Sequence, residues 1–224
     1  MIQLQQVSKI NQAPVLLDGF HHVNCLSWFP SNVQVIDGVT IPTFQVSPYH
    51  LKQDGCIFEN IWQGSKIYPI VAAQHQISGN KVIWDYPMEI HINEQNEVTP
   101  AYWQWREKLM RHDQPVRYPN GYTGRHNCRC AVVVENGAIR CLDYLSARRE
   151  IYVRRYSALV RQTEAFQALQ QLLATGHNLT FTDIDCPADI MVDQDSYDQY
   201  LNNDQKPFGH TWVLAATLLA LKLE

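Results

Sequence analysis

The sequence is short of net charge, of long apolar runs and of any leader-like start, and each shortage excludes something. A net charge of −4 over 224 residues gives no broad attraction for a polyanion, so contact with nucleic acid or a nucleotide has to be local. The longest apolar stretch, near Val213 to Leu221, falls short of the ~20 residues needed to span a bilayer. Met1-Ile2-Gln3-Leu4-Gln5-Gln6 lacks the basic-then-apolar order of a secretory signal. The six cysteines are therefore expected as reduced thiols, which places the chain in the cytoplasm with no membrane partner. What is present is 46% hydrophobic residues, ample for a core. The length suits one domain, 1–224, elaborated by insertions at about 44–56 and 113–127.

Local signals give an α+β pattern. Met1 to Pro14 reads as peripheral. Val33 to Ile36, Asp37-Gly38 and Val39 to Ile41 read as a hairpin with a two-residue turn. Lys81 to Tyr86 and Glu89 to Asn93 read as strands, and Thr99 to Met110 as a helix with Thr99 as N-cap and Pro100 at the first position. The aromatics of that helix are expected in the core. Cys128 to Val134 reads as a strand closed by Asn136-Gly137. Ser146 to Leu173 has the spacing of one long helix with a weak point near Thr163, stopped by Thr175-Gly176. Leu179 to Asp185 reads as a strand, Asp189 to Lys206 as a loop, and Trp212 to Leu223 as a buried last helix capped by Thr211.

Metal ligation is not expected. His21, His22 and Cys25 have no partner pair of the usual spacing nearby, and Cys128, Cys130 and Cys141 with His126 are spaced too tightly at the start for a zinc knuckle. No cofactor is implied. Arg148, Arg149, Arg154, Arg155 and Arg161 give the long helical pattern a basic side. It is either a solvated face or the source of one or two guanidiniums for phosphate.

The most informative stretch is Phe58-Glu59-Asn60-Ile61-Trp62-Gln63-Gly64-Ser65-Lys66. Read as a helix ending near Tyr68, before Pro69, it puts Glu59, Trp62, Gln63 and Lys66 on one face. Glu59 and Lys66 are then two turns apart, a rise of roughly 10 Å. That is too far for a direct ion pair, but close enough for both to reach a ligand of nucleoside size. Either these polar groups are solvated on a half-buried helix, or they line one wall of a site.

This Glu-x-x-aromatic-Gln-x-x-Lys pattern resembles the signature of the NADAR (YbiA-like) N-glycosidase superfamily. Leu26-Ser27-Trp28-Phe29-Pro30-Ser31 and the strand ending in Asp37-Gly38 resemble that family's opening. Leu172-Leu173-Ala174-Thr175-Gly176 with Leu179 to Asp183 resembles its Leu-Leu-x-Thr-Gly strand entry, and Phe208-Gly209-His210-Thr211-Trp212 its approach to the final helix. Phe44 to Cys56 departs from the family, where the hairpin leads almost directly into the signature helix, and Trp28 stands where the family often has Asn.

The resemblance implies a single domain with a small mixed sheet surrounded by helices. It also implies cleavage of a bond between ribose and a nitrogen heterocycle, such as an ADP-ribosylated guanine or a ribosylated pyrimidine nucleotide, free or carried in nucleic acid. Lys66 is the candidate Schiff-base nucleophile, since a lysine amine in a dry pocket attacks carbonyl-like carbon. Glu59 is the candidate acid/base. Trp62 and Phe29 would wall in base or sugar, and Gln63 would bond a hydroxyl or ring edge. Trp28 and Gly209 complete the candidate binding set with Asp183 or Asp185, for the family's acidic strand-end residue, and Arg149, for phosphate. The alternative is a catalytically silent sensor that binds ADP-ribose or a related nucleotide.

Overall fold

The computed structural model describes residues 1–7, 14–26, 32–68, 70–71, 74–76, 83–85, 89–116, 128–186 and 189–223. It is mixed α and β with several small sheets, and falls into two compact units. Unit 1 is Met1–Leu51 with Tyr152–Glu224, and unit 2 is Lys52–Ile151.

Unit 1 starts with β1 (Ile2–Gln6) and β2 (Phe20–Asn24), then a hairpin of β3 (Gln34–Ile36) and β4 (Val39–Ile41) and a 3-10 turn at Thr43–Val46. The hairpin is where the sequence places it. Asp37 and Gly38 have φ of 46° and 79°, the pair of positive values that a tight hairpin turn requires.

Unit 2 follows. A short hairpin, β5 (Lys52–Gln53) and β6 (Cys56–Ile57), turns through Asp54 and Gly55 at φ 51° and 80° and runs directly into α1 (Phe58–Ser65). Here the sequence reading is corrected: α1 does not reach Tyr68. Lys66 leaves the helix with extended angles, φ −81° and ψ 139°, and opens β7 (Lys66–Ile67). The short ladders β8 (Ile70–Val71) with β11 (Glu89–Ile90) and β9 (Gln74–Gln76) with β10 (Ile83–Asp85) come next. Then come α2 (Pro100–Met110), β12 (Cys130–Glu135), β13 (Ala138–Leu142) and α3 (Tyr144–Ala147). β12 lies between β13 and β7, with Ala131 opposite Lys66. That pairing explains the early end of α1, because ladder bonds to β12 replace another helical turn.

α1 packs on α2. A Cβ at Gly64 would sit 3.3 Å from Met110 Cγ, so the missing side chain permits the close approach. Tyr102 Oη donates to the Gly64 and Ser65 carbonyls at 2.9 and 3.3 Å, satisfying acceptors that the helix end leaves open. Tyr102, Trp105, Leu109, Val116, Ile67 and Val132 form the core of this unit, as expected for the aromatics of α2. Thr99 stands at the N-cap position of α2, but its hydroxyl donates to the Ile90 carbonyl at 2.6 Å instead of capping the helix.

A π-helical turn, Arg148–Val153, leads back into unit 1 through α4 (Arg154–Val160) and α5 (Glu164–Ala174). The expected single long helix is therefore broken. At Thr163 the break is complete, since its side chain accepts from Phe166 N and caps α5. α5 ends where the sequence puts it. Gly176 has φ 92°, and bonds from Gly176 N to Leu173 O and from His177 N to Leu172 O, at 3.1 and 3.0 Å, make a Schellman close.

β14 (Asn178–Asp183) then inserts between β1 and β2, parallel to both, and β15 (Ile190–Met191) adds antiparallel to β1. The reading of the first residues as peripheral is thus wrong for β1, an interior strand whose Ile2 and Leu4 are wholly buried. The expected loop at 189–206 holds β15 and α6 (Gln194–Leu201), nucleated by a reciprocal cap between Asp193 and Ser196. α7 spans His210–Leu218 with Gly209 at the N-cap position, so it starts earlier and stops sooner than read from Thr211. It packs on β1, β14, α4 and α6 and is buried on nearly every side, as its composition predicts. Among the described residues no helix is long and apolar enough to cross a membrane.

Candidate functional site

Unit 2 brings together four of the residues singled out by the sequence. Gln63 Nε2 donates to Glu59 Oε1 at 2.7 Å, and Lys66 Nζ donates to Gln63 Oε1 at 3.1 Å. The amide therefore lies between carboxylate and amine with its donor end on one and its acceptor end on the other. Lys66 Nζ also stands 4.3 Å from the Trp62 ring centre, over its face. Glu59, Gln63 and Lys66 are only 5%, 6% and 7% exposed, so none of them points into bulk water.

The geometry differs from a plain helical face in one respect. Glu59, Trp62 and Gln63 are carried by α1, but Lys66 is carried by β7. Its backbone is held in the ladder to Ala131, and its side chain folds back over the last turn of α1. Helix and strand thus fix the carboxylate and the amine independently.

The neighbouring residues extend the set with an aromatic and a guanidinium that sequence reasoning did not choose. Tyr144, in α3, places its ring 6.2 Å from that of Trp62. Arg148 holds its guanidinium 5.0 Å from the Tyr144 ring centre and is almost completely buried. Arg149, the residue picked from the sequence, is half-buried beside it. No sequence signal separates the two, since both open the π turn Arg148–Val153.

Cys128 precedes and Cys130 opens β12, the strand paired with β7. Burial pushes the Cys128 thiol up, and burial together with the Cys141 thiol pushes Cys130 up to about 12. All six cysteines are unbridged. His126 lies outside the described residues, as do Trp28 and Phe29, which fall within 27–31.

Unit 1 gathers a second set. Of the two strand-end carboxylates, Asp183 is buried and Asp185 exposed. Asp183 Oδ1 accepts from Ile184 N at 2.8 Å, and its Oδ2 lies 3.4 Å from His210 Nδ1. His210 Nε2 lies 2.9 Å from the Cys25 carbonyl oxygen. A Cβ on Gly209 would come within 3.4 Å of Asp185 Cβ and 3.8 Å of Asp183 Oδ2, so glycine there lets the start of α7 approach the end of β14. Burial first, then the Asp183 charge, raises the Cys25 and Cys186 thiols well above their ordinary range. The pair sits at the carboxyl ends of parallel strands, where ligands of open α/β sheets are bound. His210 was not among the residues picked from the sequence; its signal was adjacency to Gly209 at a helix start.

No protein-family model, curated protein or solved structure matches the chain.

Proposed function

We propose that the protein is an N-glycosidase that hydrolyses the bond between a ribose and a nitrogen heterocycle. The supporting observation is the buried Glu59–Gln63–Lys66 chain, held from a helix and a strand and walled by Trp62. Ring opening of the ribosyl amine moves a proton to the ring oxygen and leaves an iminium at C1. Lys66 adds to C1, the base departs with a proton delivered by Glu59, and water hydrolyses the lysine imine to release the sugar aldehyde. Gln63 holds carboxylate and amine in register throughout. Arg148 supplies a guanidinium for a substrate phosphate. The fold in this reading is NADAR-like, and the cytosol is the compartment in which six unbridged cysteines stay reduced.

The test is hydrolysis of ADP-ribosylated guanosine, free and in DNA, with borohydride trapping of the imine. Wild type should release guanine-containing product and gain a trapped sugar adduct, whereas Lys66→Ala should do neither and Glu59→Gln should lose about 10²–10⁴-fold in rate. An unchanged rate in Lys66→Ala overturns the assignment. Tight ADP-ribose binding by calorimetry with no turnover on any ribosylated base overturns the enzyme reading in favour of a sensor.

A further inference from the structure

Three residues of unit 1 that play no part in the glycosidase reading meet at its surface. His21 belongs to β2, Asp37 is the first residue of the β3–β4 turn, and His177 follows the glycine that ends α5. Each is fixed by its own backbone device: His21 by its register opposite Leu179, Asp37 by the positive-φ turn, and His177 by the Schellman close. One ligand atom from each lies within 4.8 Å of the other two. His177 Nε2 is 2.7 Å from Asp37 Oδ2, and His21 Nε2 is 3.9 Å from the same oxygen. The two imidazole rings are 5.0 Å apart and tilted by 53°.

These separations suit a small cation. A tetrahedral zinc with ligands at about 2.0–2.2 Å holds its ligand atoms roughly 3.3–3.5 Å apart. The His177–Asp37 distance opens and the His21–Asp37 distance closes by well under an ångström to reach that value, and the third, within 4.8 Å, closes by at most about 1.5 Å. Asp37, 62% exposed, is free to make the adjustment, while His21 and His177, at 36% and 20%, leave the site reachable from solvent.

A second observation concerns the far side of His177. Its Nδ1 is 3.1 Å from the Leu172 carbonyl oxygen, which can only accept a hydrogen bond. Thr175 Oγ1 lies 3.0 Å from the same nitrogen, but its proton has the Leu172 and Gln171 carbonyls at 3.0 and 3.1 Å. Nδ1 is thus placed to donate to that carbonyl, and Nε2 is the ring atom turned to the Asp37 carboxylate. In the metal-free protein the two are joined by a hydrogen bond, which a divalent cation displaces on binding. An Nδ1–H bonded to a backbone carbonyl is also the outer contact that orients metal-binding histidines.

The geometry points to a divalent transition-metal site formed by His21, Asp37 and His177, with zinc the best-suited cation. Two imidazoles and one carboxylate make a borderline donor set, and three protein ligands leave further positions to water. The metal would tie β2, the β3–β4 hairpin and the α5–β14 junction together, independently of any glycosidase chemistry.

The test uses the full chain, titrated with zinc in a calorimeter and scanned for thermal unfolding with and without it. One equivalent should bind and raise the unfolding midpoint. Asp37→Asn, which keeps the positive-φ preference of the turn, and His21→Gln should each weaken binding at least tenfold and remove the thermal shift. Cobalt should give a spectrum without thiolate charge-transfer bands. Absence of zinc and cobalt binding, wild-type affinity in both variants, or thiolate bands as the only cobalt signal would each overturn the site.

Discussion

Asn60 offers the sharpest test of how α1 is held in unit 2. Its side chain is completely buried and spends both amide donors and one acceptor lone pair on one segment. Nδ2 donates to the His112 and Gln114 carbonyls, both at 3.0 Å, and Oδ1 accepts from Val116 N at 2.7 Å. These bonds draw Val116 into the core beside Ile67 and Tyr102. Asn60→Ala removes three bonds worth about 1 kcal/mol each, and strands the buried Val116 N–H at a further cost of about 1–3 kcal/mol. His112 and Gln114 lie nearer the surface, so their carbonyls find water. The expected loss is about 4–6 kcal/mol, or roughly 8–24 °C in the midpoint for a chain of this size. Asn60→Asp sharpens the test, because the shape is kept while an acceptor replaces the donor facing two carbonyls. The new carboxyl is stable only when protonated, so its folded pKa rises above the unfolded ~3.9. The variant should approach wild type below pH 4 and lose ground as pH rises through that raised value. Urea unfolding of the three proteins at pH 4 and pH 7.5 measures this. A loss below 1 kcal/mol for Asn60→Ala, or a gap between wild type and Asn60→Asp that does not move with pH, would refute the reasoning.

Two further expectations concern the same unit. Gln63→Leu deletes the amide between Glu59 and Lys66; with two hydrogen bonds to ionisable groups lost, it should destabilise by about 2–4 kcal/mol in urea unfolding, and a smaller loss would mean the amide does not bridge them. His91 is fully buried against Tyr102 and Trp105, neither ring nitrogen has a hydrogen-bond partner among the described residues, and burial lowers its pKa to about 4. Only the unfolded chain binds its proton between about pH 6.5 and 4, so stability should fall as pH falls through that window, by about 3 kcal/mol in all. His91→Leu should remove that slope; a slope that persists would assign it to other groups.

What could be read from the sequence was local. Asp37-Gly38 specifies a hairpin turn by itself, and Gly176 ends α5 whatever surrounds it, so both stood out. Glu59, Trp62, Gln63 and Lys66 were recognisable as a set because each lies within two turns of the next. The strand that carries Lys66 was not readable, because it exists through pairing with Ala131, far along the chain. β1 was missed for the same reason: nothing in Ile2 to Gln6 announces a parallel neighbour at Leu179 to Asp183. Arg148 is buried and Arg149 half-buried at the start of a π turn, which no count at 3.6 residues per turn reveals. His21, Asp37 and His177 belong to three separate elements, and their meeting is a property of the folded unit alone.

The placement of β14 has a consequence during synthesis. Ile2 faces Leu179 across the sheet, so at 5–20 residues per second the first strand waits roughly 9–35 s for its partner to leave the ribosome. Through that interval Ile2 and Leu4 have no native cover. The native place of the first strand is therefore completed only once β14 emerges, and pausing upstream of Asn178 would lengthen that interval.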